Sequence, residues 1–191
     1  MNLTELSKQI RFDNASQGFD PTEGGIDRYL LLAISEICEA QEELRDGRGV
    51  NEVYYQLTGN PNEVDVEYPK KPCGFPVEIA DAIIRLLDIC GKFDVEVNIE
   101  VLTTEKSKIR INRIDTYLLY ISNSISNVRV GSHLEAPEEV ATIDNMYFGS
   151  IFTALEGLFW LCIELEIDIM TVINEKLAFN KTRPPKHGRK F

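Results

Sequence analysis

Residues 77–88 read VEIADAIIRLLD. On a helix, residues three, four and seven apart share a face, so Glu78, Asp81, Arg85 and Asp88 fall in one arc. Everything outside that arc is apolar or small: Ile79, Ala80, Ala82, Ile83, Ile84, Leu86, Leu87 and Ile89. A helix apolar on nearly all sides belongs inside a bundle. Its narrow charged stripe must then face water, a cationic partner or a metal, because an uncompensated buried carboxylate is too costly to keep.

The same period runs through most of the chain. Residues 26–45 carry Leu30, Ala33, Ile34, Ile37 and Leu44 at helical spacing and end in RDGRG, a glycine stop. Further helices are predicted over 95–113, 115–129, 147–164 and 167–181, and a short amphipathic one over 3–11 with Thr4 as its cap. Residues 50–76 break the pattern with prolines, glycines and paired tyrosines. They predict an irregular excursion with a short hairpin pairing 54–57 with 64–68, closed by Pro76 at the start of the next helix. The expected fold class is all-α, a helical bundle of six or so main helices.

Three stretches recur in the same order. IDRYLL at 26–31 returns as IDTYLL at 114–119, ICGKFDVEV at 89–97 as LCIELEIDI at 161–169, and EKSKIRINR at 105–113 as EKLAFNKTR at 175–183. They predict a tandem pseudo-repeat. Residues 1–25 form an N-terminal helix and loop, 26–113 a first half with an inserted loop at 47–76, 114–183 a second half, and 184–191 a basic tail. The positions of the second half that align with the acids of the first carry none: Asn123 or Ser124, Ser126 or Asn127, Ser150, Thr153 and Trp160. The second half is therefore the degenerate one.

The formal charge is −11 over 191 residues. That disfavours nonspecific binding to a nucleic-acid backbone, which needs positive charge, and an anionic membrane surface. Cys38, Cys73, Cys90 and Cys162 are widely separated and are expected as buried free thiols of a reducing compartment. MNLTELSKQIRFDN has no apolar signal core. A cytoplasmic protein is expected, with neither nucleic acid nor membrane as partner.

SEICEAQEELRDG at 35–47 places Glu36, Glu39 and Glu43 in one arc. Alone, that is an ordinary solvated face. Together with the stripe at 77–88, Glu36, Glu39, Glu78 and Asp81 could surround one cavity with oxygen ligands. Hard cations such as Mg²⁺ take carboxylate oxygens and keep several waters, which leaves room for phosphate oxygens. Four like charges held together would repel without cations. No GxxxxGK loop and no serine–histidine–acid order is evident.

These residues resemble the MazG-like nucleoside triphosphate pyrophosphohydrolases, of the all-α superfamily that includes dimeric dUTPases and phosphoribosyl-ATP pyrophosphohydrolases. The family motif Glu-x-x-Glu then Glu-x-x-Asp matches Glu36, Glu39, Glu78 and Asp81. IIRLLD and the closing EKLAFNKTRPPKHGRKF are also similar. The resemblance implies Mg²⁺, with Mn²⁺ as an alternative, held by those four acids. It implies cleavage of a nucleoside triphosphate between the α and β phosphates, in a house-cleaning or nucleotide-pool role. It draws Asn180, Lys181, Arg183 and Lys176 towards the substrate. The 39-to-78 spacing is longer than in compact members, which leaves base and sugar open. A homodimer stays open as the assembly. Asp88 either joins the acidic cavity or pairs with Arg85. Glu43 orients the attacking water or is solvated surface, and Tyr54, Tyr55 and Tyr68 stack on a base or pack locally. The competing function is a catalytically idle helical bundle that binds nucleotide or a protein partner.

Overall fold

The computed structural model describes residues 2–23, 25–58, 69–98, 113–128 and 145–185, with side chains of the fifth helix from Phe148 onward. The protein is an all-α bundle. Among the described residues the order is α1 (Leu3–Ser16), α2 (Ile26–Arg45), β1 (Tyr54–Leu57), β2 (Lys70–Cys73), α3 (Phe75–Lys92), α4 (Ile114–Ser126), α5 (Asn145–Glu164) and α6 (Ile169–Lys181).

α3 is the central helix, as its composition requires. Val77, Ile79, Ala80, Ala82, Ile83, Leu86, Leu87 and Ile89 are fully buried, and α1, α2, α5 and α6 all pack against it. The close approach of α1 depends on Gly91, where a Cβ would stand 2.4 Å from the Ser7 carbonyl oxygen. Leu6 and Ile10 bring α1 into the common core. α4 and α5 pair through Leu118, Ile121 and Ile125 against the apolar face of α5, and α4 also meets α2. Tyr117 and Trp160 stack with ring centres 5.1 Å apart. No single helix among the described residues is long and apolar enough to cross a membrane.

Several local expectations need correction. The cap of α1 is Asn2, whose side chain accepts from the Thr4 amide. The Thr4 hydroxyl instead accepts from the Val97 amide at 2.9 Å. α1 continues to Ser16, five residues beyond the end of its apolar pattern. β1 pairs antiparallel with β2, Tyr54 opposite Cys73 and Leu57 opposite Lys70, so the hairpin's second strand is not 64–68, which lies outside the described residues. Residues 95–98 are not helical, and the rest of the helix predicted to 113 is outside the described residues, apart from Arg113 itself, which caps α4. Cys73, Cys90 and Cys162 are buried free thiols, whereas Cys38 is exposed. The strand-to-helix turn at Gly74 has φ +117°, and a Cβ there would meet the Glu52 carbonyl oxygen at 2.2 Å. Only glycine fits, and this turn fixes where α3 begins.

Candidate functional site

The packing of α2 on α3 turns their acidic stripes towards each other. Carboxylate oxygens of Glu36, Glu78 and Asp81 all lie within 4.8 Å of one another. Glu36 and Glu78 are only 6% and 5% exposed. Glu39 lines the same cavity from one turn along α2 but is exposed and stands outside the tight group. Its carboxylate accepts from the Ser35 hydroxyl at 3.4 Å.

Two cations enter this cluster. Arg85 donates through Nε, at 2.8 Å, and through Nη2 to Glu36 Oε1. Lys176 reaches from α6 to an ion pair with Asp81 and is 97% buried, at 3% exposure. The repulsion expected among the acids is thus partly relieved by the protein itself: with every group ionised, four carboxylates face two cations and two negative charges remain. Glu78 is the acid left out. No described residue donates to its carboxylate. Burial, and then the Asp81 charge beside it, push its pKa up to about 8. Burial also raises Glu36, with Arg85 pulling the other way.

Asp88 does neither of the things expected of it. It does not join the cluster, and Arg85 is committed to Glu36. Asp88 is fully buried and is held by Tyr29, Asn14 and Arg11. Glu43 accepts from the Tyr54 hydroxyl at 2.9 Å, and Tyr55 donates to Glu175. Both tyrosines pin the hairpin to neighbouring helices. Tyr68 lies outside the described residues.

The acids open into a cavity of about 660 Å³. Of the predicted substrate contacts, Lys176, Asn180 and Arg183 line it. Asn180 Oδ1 is buried there without a hydrogen-bond partner. Lys181 does not line it; its ammonium is exposed and pairs with Asp13 at 3.0 Å, because successive residues on a helix point about 100° apart. The far wall comes from α1, its following loop and α2, through Asn14, Phe19 and Tyr29. Sequence reasoning did not assign these residues to the site. α1 looked like a peripheral amphipathic piece, and nothing in its pattern reports that Gly91 lets it lie against α3. Arg85 was visible in the stripe, but its bond to Glu36 crosses between helices.

Comparison with known proteins returns no match: no family model, no curated protein and no solved structure is similar to this chain.

Proposed function

We propose that the protein is a Mg²⁺-dependent nucleoside triphosphate pyrophosphohydrolase. The observation that carries this reading is Glu78, buried beside Glu36 and Asp81 with no donor of its own, at the edge of a cavity that also holds the unpaired Asn180 Oδ1. A buried carboxylate without a cation or donor is costly, and the two residual negative charges match one divalent ion. Glu36, Glu39, Glu78 and Asp81 would hold Mg²⁺ or Mn²⁺, oxygen ligands of the kind hard cations take. The ion supplies charge stabilisation on the phosphate oxygens.

The chain's own residues do the rest. Lys176 and Arg183 offer cations to phosphate oxygens, and Asn180 offers its amide. Lys181, held by Asp13, has no part in this. Glu39, the exposed acid of the set, takes the proton of the attacking water. The water oxygen bonds to the α-phosphorus while the bond from that phosphorus to the bridging oxygen breaks. The products are nucleoside monophosphate and pyrophosphate. A cytoplasmic nucleotide-pool role is part of the same reading.

The fold's finer organisation is proposed with it: a tandem repeat in which the second half has lost its acids. The leucine pairs of the repeated hexapeptide are placed alike, while Ile26 and Tyr29 are buried and their counterparts Ile114 and Tyr117 only partly so. Leu30 and Leu118 are buried at 6% and 3%, while Leu31 and Leu119 are exposed at 65% and 70%. Thr153, opposite Asp81 in the alignment, donates to its own helix at Gly149.

The ion pairs Arg85–Glu36 and Lys176–Asp81 favour a second reading, an idle bundle whose polar core is largely self-compensated. Release of pyrophosphate from a panel of nucleoside triphosphates, with and without Mg²⁺, separates the two. Mg²⁺-dependent release from at least one supports the hydrolase; none from any supports the idle bundle.

A further inference from the structure

Asp88 lies seven residues beyond Asp81 on the same face of α3, about 10 Å along the helix. Its Oδ2 accepts from the Tyr29 hydroxyl at 2.6 Å and from Asn14 Nδ2 at 2.8 Å. Its Oδ1 faces the Arg11 guanidinium at 2.9 Å. Arg11 also donates to the Phe19 carbonyl. One carboxylate therefore ties together α1, α2, α3 and the loop after α1. Burial raises its pKa, and Tyr29, Arg11 and Asn14 pull the other way. Oδ2 accepts both hydrogen bonds, while Oδ1 has the Arg11 charge beside it but no hydrogen bond among the described residues.

That fixes Asn14. An acceptor-only neighbour requires the amide nitrogen to point at Asp88, so the amide oxygen points away from it. No described residue donates to that oxygen. Asn14 lines the cavity, and with it stand Phe19, Tyr29, Leu32 and Ile84. Asp20, Glu23 and Arg28 also line the cavity, which thus sets apolar and aromatic walls and one amide of set orientation beside charged groups. Such a lining suits a flat heterocycle with a polar edge. It lies one nucleoside's reach along α3 from the acids.

We infer that Asn14 reads the base of the substrate, its Oδ1 accepting a ring or exocyclic N–H, and that Asp88 is the positioning residue that holds the amide in the reading orientation. The inference rests on the triphosphate reading above. A purely structural Asp88 would hold α1 in place without affecting which base is preferred.

The test is kcat/KM, with Mg²⁺, for triphosphates of the common bases and for a deoxyribose triphosphate lacking a base. Wild type is expected to favour one base-bearing substrate over the base-free one. In Asn14→Ala that ratio should fall roughly tenfold, the loss of one well-placed hydrogen bond. In Asp88→Asn the new amide can present either oxygen or nitrogen to Asn14, so preference among bases should narrow while circular dichroism reports an intact fold. Should Asp88→Asn not fold, Asn14→Ala carries the test, because Asn14 is only half-buried. An Asn14→Ala enzyme that keeps the wild-type ratio overturns the inference and leaves the hydrolase standing. A wild-type protein that cleaves no triphosphate overturns the hydrolase reading and this inference with it.

Discussion

Glu78 and Asp88 stand on one face of α3, about 15 Å apart along the helix, and both are buried. Asp88 meets a hydroxyl, an amide and a guanidinium. Glu78 meets no donor among the described residues. The difference is not one of sequence type, since both are acids in an apolar helix. It lies in what the neighbouring helices bring. α1 and α2 surround Asp88 with donors, whereas Glu78 meets Glu36 from α2, Asp81 one turn along its own helix, and from α6 a lysine already committed to Asp81. A buried carboxylate with two hydrogen bonds to one oxygen and an ion pair to the other explains itself as structure. One without a donor is a cost the fold alone does not offset. That contrast separates the scaffold end of the stripe from the end proposed to bind metal.

The contrast predicts opposite outcomes for removing each acid. Glu78→Gln should lower turnover by more than the ~10–100-fold typical of groups that only support a metal ligand. It should leave the metal-free protein about as stable as before at pH 7, where the raised pKa already keeps Glu78 mostly neutral, and more stable above about pH 8, where the wild-type charge appears. Pyrophosphate release and thermal melting without Mg²⁺ check the two halves of that statement. Asp88→Ala should do the reverse to stability, costing about 3–5 kcal/mol by leaving Arg11 and two polar groups unmatched; denaturant melts measure it.

Asp81→Asn is the intermediate case. The acids as a group look mutually repulsive in sequence, so a charge removed from any of them would be expected to relax the metal-free protein. The structure reverses this for Asp81, because its loss strands the buried Lys176. The expected cost is about 3 kcal/mol in the metal-free state, and a stability equal to wild type would show that Lys176 finds another partner. Smallest of all is Lys181→Ala. It should change stability by less than about 1 kcal/mol, the ceiling for an exposed pair, and leave the Michaelis constant alone, since Lys181 points out of the cavity. A raised Michaelis constant would restore it to the substrate site.

The helical period made the fold class readable, and it put Glu36, Glu39, Glu78 and Asp81 on two faces of two helices. That they could face one cavity was legible from the period; that Glu36, Glu78 and Asp81 close to within 4.8 Å while Glu39 stays outside was not, because it depends on how α2 packs on α3. Which cations would join them was not legible either. Arg85 sits in the stripe, but its choice of Glu36 over Asp88 depends on the rotation of α2 against α3. Asp88's partners come from positions 11, 14 and 29, too far off in sequence for any spacing rule. The second hairpin strand, KKPC, was missed because lysine and proline carry little strand signal. The alternating apolar residues at 64–68 offered the stronger local pattern. Cys38 was expected inside with the other thiols, yet it is exposed on α2, flanked by Glu39.

The central claim is that the Glu78 end of the stripe holds a divalent cation. Calorimetric titration of Mg²⁺ and Mn²⁺ into metal-free protein at pH 7, repeated in two buffers of different ionisation enthalpy, tests it most directly. With its pKa raised to about 8, Glu78 is mostly protonated at pH 7 and must shed that proton to bind metal. The same shift makes Glu78's contribution to metal-free stability full below about 4.5 and lost as pH rises through about 8. The account predicts one carboxylate site per chain, close to one proton released per ion, affinity that rises with pH through about 8, and loss of both binding and proton release in Glu78→Gln. Binding that Glu78→Gln leaves intact, or no binding at all, would contradict it.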